Sequence, residues 1–153
     1  MKLYIETSVP NMLYADDAPE KRRVTEVFFE WLDVCAHELF VSAVVAEEIG
    51  RAGEPKRTRM RRALEGVRVR TLSMTAQARQ IARVYVEAGI VPVRYRNDAA
   101  HVAVAVWHRM DVVVSWNMEH LVKVSRIERF NQVNAVLGLP PIRIHTPEEV
   151  IDL

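Results

Sequence analysis

Residues 111–116 read DVVVSW and residues 3–9 read LYIETSV. In each, a run of three apolar residues meets polar ones without a turn signal: Val112-Val113-Val114 leads to Ser115, and Leu3-Tyr4-Ile5 leads to Glu6, Thr7 and Ser8. A strand with one wet face alternates apolar and polar residues, whereas a strand covered on both faces is apolar throughout. Two such strands, far apart in the chain, predict a parallel sheet clothed by helices. The acid that ends the first strand would then lie where open α/β sheets bind their ligands, at the carboxyl ends of the strands. The expected fold class is α/β, a three-layer α/β/α sandwich with a mostly parallel central sheet.

The rest of the chain alternates in keeping with that reading. A turn of helix is expected near Pro10–Tyr14. A helix over 19–34 follows, because Val24, Val27, Phe28, Trp31 and Leu32 recur at i, i+3, i+4, i+7 and i+8. ELFVSA (38–43) predicts a strand and 44–51 a helix. Pro55 opens another helix to about Leu64, stopped at Gly66. VRVRTL (67–72) alternates like a half-exposed strand. Thr75 caps a helix to about Ala88, ended by Gly89. Asn97 or Asp98 opens an Ala- and Val-rich helix. After DVVVSW come a short helix from Met118, a longer one over 125–136 and a strand in LPPIRIHT (139–146). Thr146-Pro147-Glu148-Glu149 is a capping box with Pro at the first helical position.

A chain of 153 residues suits one domain, 1–153, with a core that needs no staples. Cys35 is the single cysteine, which excludes an internal disulfide framework, and its place on an apolar pattern points to a buried thiol rather than a nucleophile. No secretory apolar segment is read at the N-terminus, and no run approaches the ~20 apolar residues of a membrane span. A cytoplasmic protein without membrane contact is expected.

The net charge of +1 hides an asymmetry. Residues 51–70 hold eight Lys/Arg and two acids, leaving 13 basic and 18 acidic residues elsewhere. A basic segment on a mildly acidic body suits attraction to a polyanion or an acidic partner, and equally a solvated helix face.

Glu6 follows the first strand, Glu48 lies in the helix after the second, Asp98 begins the helix of RNDAAHVAVAV, and Asn117 follows DVVVSW. Each marks a passage between strand and helix, so all can meet at one edge of the sheet. Singly, each has a simpler use: Asp98 and Asn117 as caps, Glu48 as a surface acid. Together they would crowd three carboxylates, and a hard divalent cation with oxygen ligands offsets such crowding. Such an ion acidifies water and clamps the oxygens of an in-line phosphoryl displacement.

YIETSV, VSAVVAEEI, NDAAHVAVA and VVVSWNMEHL, with the tail NQVNAVLGLPPIRIHTPEEVI, resemble the successive motifs of PIN-domain ribonucleases, especially the VapC-like toxins of type II toxin–antitoxin pairs. The resemblance spans the whole chain, and DVVVSWNMEHL beside NDAAH is its most specific part. It implies a Mg²⁺- or Mn²⁺-dependent endoribonuclease, a hydrolase of RNA phosphodiester bonds, silenced by a cognate antitoxin that fills the acidic groove. It also implies a homodimer. Glu6, Glu48 and Asp98 match the three acids of the pattern, Asn117 the fourth position, and Ser8 the small polar residue that supports the site.

Two positions depart from the pattern. The first acid is usually Asp, and Glu6 is one methylene longer; the fourth is commonly Asp, and Asn117 brings no charge. A site of charge −3 suits one divalent ion better than two.

His101, one turn after Asp98, shares its helix face and supports the site or shuttles a proton; on so apolar a helix a core histidine bonded to backbone is the simpler reading. His120 reads the same way. Trp116 reads as a wedge against the sheet before a base-stacking platform. Arg94 and Arg96 bracket Tyr95 as a phosphate-holding cluster or a solvated loop. The methionines Met12, Met60, Met74, Met110 and Met118 read as packing. Lys56, Arg57, Arg59, Arg61 and Arg62 would supply the RNA attraction that an acidic site cannot. The rival readings are a catalytically quiet binding module of the same fold, a DNA nuclease of related chemistry, and a phosphoacceptor receiver, for which an acidic pair with a strand-end Lys is missing.

Overall fold

The computed structural model of the protein describes residues 1–153. Its elements run β1 (Lys2–Ile5), α1 (Ser8–Met12), α2 (Pro19–Val34), β2 (Glu38–Ser42), α3 (Ala43–Gly50), α4 (Lys56–Gly66), β3 (Arg70–Leu72), α5 (Ala76–Glu87), a 3₁₀ turn (Val93–Tyr95), α6 (Arg96–Trp107), β4 (Val112–Val114), α7 (Val124–Val136), β5 (Arg143–His145) and α8 (Pro147–Ile151). The five strands form one sheet in the order β3-β2-β1-β4-β5, and every pairing is parallel. Tyr4 stands beside Phe40 and Val113. The two all-apolar runs are therefore neighbours at the centre of the sheet, buried on both faces.

The strand order fixes where a site can lie. From β1 the chain winds to β2 and β3, then crosses back to β4 on the other side of β1. Right-handed crossovers put α1–α4 on one face of the sheet and α5–α7 on the other. In agreement, α1 packs on α2 and α4, while α5 packs on α6 and α7. The result is an α/β/α sandwich whose winding reverses between β1 and β4. A crevice opens at the carboxyl ends of strands at such a reversal.

Several local expectations change in the folded chain. On α2, Thr25, Phe28 and Leu32 are buried and Val24 and Trp31 pack partly covered against the core, while Val27 is half exposed. The helix α4 ends at Gly66 as expected, but the left-handed residue that follows is Arg68 (φ +58°), and the strand of VRVRTL is only Arg70–Leu72. Arg68 takes a conformation that glycine occupies at no steric cost. Gly89 does end α5 as expected, at φ +70°, with the Ile90 N–H reaching back to Tyr85 O (3.2 Å). The short helix expected from Met118 is instead a hydrogen-bonded turn. Cys35 is only partly buried, its thiol against Leu32 O.

The outer layer is tied down by a buried amide cluster. The Tyr85 hydroxyl donates to Asn134 Oδ1, and the Asn134 amide donates to Asn131 Oδ1 (3.2 Å). Asn131 pairs with both backbone groups of Ile142, at 2.9 and 2.8 Å, just before β5. Burial pushes the Tyr85 phenol up, so it remains a donor. Asn134→Ala leaves that hydroxyl unpaired and is expected to cost about 2 kcal/mol in urea unfolding. A loss near zero would show that water replaces the amide.

Candidate metal centre and active site

Glu6 is the first residue past β1, and its N–H still joins the sheet ladder through Val114 O (3.0 Å). The residue is only 5% exposed. A carboxylate so placed needs donors, and one oxygen, Oε2, collects them all. The Ser8 N–H (3.0 Å), the Ser8 hydroxyl and the Ser115 hydroxyl (3.0 Å) donate to it. Ser8 Oγ accepts in turn from the Trp116 N–H (2.8 Å), and Ser115 Oγ from the Asn117 N–H (2.9 Å). The two serines thus lock the ends of β1 and β4 around the acid.

Glu48 reaches the same crevice from α3, which starts at the Ser42 cap. Its Oε1 accepts from the Thr7 hydroxyl (2.7 Å) and from His101 Nε2. The imidazole of His101 is fully buried; its Nδ1 meets the Tyr4 hydroxyl (2.7 Å), which also meets Ser42 Oγ (2.7 Å). Burial holds the Tyr4 pKa well above its ordinary value, so the phenol keeps its proton. A doubly protonated imidazole fits these partners: Nδ1–H to Tyr4, Nε2–H to Glu48, and Tyr4 donating to Ser42. Burial alone would lower the His101 pKa, but the Glu48 hydrogen bond and the charges of Glu6, Glu48 and Asp98 outweigh it and raise the pKa. Burial likewise pushes Glu48 up, while His101, Thr7 and Arg51 pull its pKa below the ordinary carboxylate value. His101 is therefore tied to side chains at the site, not to backbone as a plain core histidine would be.

Asp98 lies in the first turn of α6, with Oδ2 on His120 Nδ1 (2.8 Å). Asn117 Oδ1 accepts from the His120 N–H (3.0 Å), and the N–H groups of Leu121 and Val122 return to Asn117 O. That closure is why a turn replaces the expected helix. His120, also buried, thus joins a carboxylate rather than backbone, and its ring centroid lies 4.4 Å from that of Tyr95.

The structure brings Glu6, Glu48 and His101 together, with one ligand atom from each within 4.8 Å of the others. Ser8 is inside this cluster. Asp98 and Asn117 lie outside it and meet each other through His120, although the charge of Asp98 reaches His101. Glu6 Oε1, Glu48 Oε2 and Asp98 Oδ1 take part in no hydrogen bond, so each acid keeps an open oxygen. This donor set fits a divalent cation that accepts carboxylate oxygens.

Tyr4, Thr7 and Ser115 complete the site beyond the residues the sequence pointed to, and His120 joins it through Asp98. Thr7 and Ser115 carried a signal, as hydroxyls at the ends of the two apolar strands. Tyr4 carried none, since inside LYI it reads as one more core residue. Trp116 is the packing wedge expected: 9% exposed, with Nε1–H donating to Thr25 (2.9 Å) on α2. Met60 and Met110 are buried, but Met118 is half exposed. The basic residues are carried on α4, which packs on α1 and α3. Arg59, Arg61 and Arg62 are exposed, Lys56 is partly covered, and Arg57 pairs with Glu54 (2.8 Å).

No protein-family model and no curated protein matches the sequence. Among solved structures, a chain in the crystal structure of VapBC2 from Rickettsia felis bound to a DNA fragment from their promoter is similar, with a TM-score of 0.60 and 13% identity. The match covers 95% of this chain and 98% of that one. The fold is a VapC-like PIN fold, the three-layer sandwich expected from the sequence. No helix is long and apolar enough to cross a membrane.

The pKa shifts set a pH window in metal-free buffer. His101 is raised, so its contribution is whole below the ordinary histidine pKa of about 6.5 and fades as pH rises through the folded value. Glu48 is lowered, so its contribution is present above about 4.3 and is lost as pH falls through its folded value. His101→Gln is expected to cost about 3 kcal/mol near pH 6, with the difference shrinking as pH rises. Urea titrations across that range check this; a constant difference would mean that folding leaves the imidazole pKa unshifted.

Proposed function

We propose that residues 1–153 form one PIN-like domain that acts as a metal-dependent endoribonuclease, the toxin of a toxin–antitoxin pair. One observation carries the reading: at the reversal of a VapC-like sheet, three acids each keep one oxygen free of hydrogen bonds while their other oxygen is anchored. Glu6, Glu48 and Asp98 would hold Mg²⁺ or Mn²⁺, with Asn117 as a neutral auxiliary. A bound cation supplies the positive charge that acidifies water and stabilises the anionic phosphorus centre in phosphodiester hydrolysis.

The chain's own residues prepare that chemistry. Ser8 and Ser115 orient Glu6, Thr7 and His101 orient Glu48, and His120 orients Asp98. Anchoring one oxygen of a ligating carboxylate fixes the direction of the other. His101 holds a proton at Nε2 between Glu48 and Glu6, 3.8 Å from the latter, and so offsets part of their charge without a metal ion. No side-chain nucleophile is required: Cys35 precedes β2 and lies at the opposite end of the sheet. Lys56, Arg57, Arg59, Arg61 and Arg62 draw RNA to the crevice. The similar chain comes from a two-component complex, and we assign this one a small antitoxin partner, a homodimeric state and a cytoplasmic setting.

One observation favours the quiet-module reading. His101 and His120 already partner the acids and Asn117 adds no charge, so part of what a metal would offset is met by the chain itself.

Incubating RNA with the protein and Mn²⁺ separates the two. Cleavage is expected, falling at least about a hundredfold in Glu6→Gln and in Asp98→Asn, and about tenfold in Ser8→Ala. RNA bound but uncut at any metal concentration would establish the quiet module. DNA of the same sequence cut in preference to RNA would overturn the substrate assignment. Replacing Arg59, Arg61 and Arg62 together with Ala is expected to weaken RNA binding about equally across sequences and to flatten its salt dependence; an unaltered salt titration would remove α4 from the interface.

A further inference from the structure

On α5, Ala78, Ile81 and Tyr85 are buried in the core. Arg79, Ala82, Arg83 and Val86 recur at i, i+3, i+4 and i+7 and form a second face, which lines a groove of about 750 Å³. Arg96, Asn97 and Ala100 of α6 face it, and Ala43, Val44 and Glu47 of α3 close it, with Ser73 and Met74 from the loop before α5. Three alanines, one on each helix, keep the groove open where larger side chains would fill it. Its volume lies in the range of pockets that take small ligands.

The charge of this groove is one-sided. Arg79, Arg83 and Arg96 line it against one acid, Glu47. The arginine ion pairs of the protein involve Arg22, Arg57 and Arg70, so these three guanidinium groups are unpaired. The floor between them, Val44, Met74, Ala82 and Val86, is apolar. Glu47 and Asn97 are the chain neighbours of Glu48 and Asp98, so the groove and the acidic crevice share the same turns of α3 and α6.

We propose that this groove, on the opposite side of α3 from the sequence-evident basic helix α4, seats the RNA strand beside the scissile bond. Arg79, Arg83 and Arg96 hold phosphates, and flat bases lie on the apolar floor. Phosphate contacts from unpaired arginines with stacking surfaces between them are the recurring design of single-strand sites. The assignment rests on the ribonuclease reading and deepens it: the crevice that holds the acids repels a phosphodiester, and the groove supplies attraction next to it, where α4 acts only from the other flank.

The test uses the full chain in EDTA, so that nothing is cut, and a labelled single-stranded RNA of about ten nucleotides. Arg79→Ala/Arg83→Ala is expected to weaken binding roughly tenfold and to lower the slope of log affinity against log salt by about 1.4, two contacts at ~0.7 each. Arg79→Lys/Arg83→Lys keeps the slope. Ala82→Met, which fills the floor and leaves the charge, weakens binding without changing the slope. Melting curves establish that each variant is folded; should the double alanine variant fail to fold, Arg83→Ala alone is read for half the slope change. Unchanged RNA binding in the arginine variants overturns the proposal, and if the parent still cleaves RNA with Mn²⁺, the nuclease reading survives that failure. Arginine-dependent binding without any cleavage retains the groove and removes the nuclease. Poly-glutamate competing as strongly as RNA of equal charge would reassign the groove to an acidic protein segment. Loss of a dimer in sedimentation of the arginine variants would reassign it to a second copy of the chain.

Discussion

Two carboxylates, one of them almost fully buried, lie beside a single imidazole at the end of the sheet, and like charges at that separation repel unless something positive offsets them. In this protein the offset is built in. His101, held by Tyr4 from the core side, puts a proton against Glu48 and close to Glu6. The hydroxyls of Thr7, Ser8 and Ser115 take up the remaining negative charge as hydrogen bonds. Each acid is left with one bound oxygen and one open oxygen, the state of a ligand set ready for a cation.

The sheet makes that arrangement rigid. Glu6 and Ser115 are direct continuations of β1 and β4, with N–H groups still in the ladder to Val114 and His145. A donor on β4 therefore cannot drift from an acceptor on β1 without breaking the parallel pairing of the two most buried strands. Glu48 and His101 arrive on helices from opposite faces of the sheet, α3 and α6, and meet over the strand ends. Charge is then divided by layer. The acids occupy the crevice, and the unpaired arginines of α5 and α6 line the groove between α3, α5 and α6.

Much of this was legible in the residues, and the reasons for the misses are physical. Valine and isoleucine runs without polar alternation announce two-sided burial, so the parallel sheet and its acid-bearing edge were readable, as were the caps at Thr75 and Thr146. Val27 was misread because periodicity marks apolar residues without saying how wide a stripe the neighbouring layer can cover. The turn at Asn117 was misread because its amide closes on His120, and that closure competes with helix only when Asp98 waits to receive the ring.

The sequence by itself determined the class of fold, the order of its elements and the acids that lie at strand ends, because hydrophobic periodicity and capping are local properties of the chain. Only the tertiary structure decided which of those acids share an imidazole, that Asp98 pairs with His120 outside the Glu6–Glu48–His101 group, and that Tyr4 reaches out of the core to the site. It also decided that arginines scattered over two helices line one groove. These are contacts between residues tens of positions apart, and their partners are set by the winding of the sheet and the packing of its layers, which no local pattern encodes.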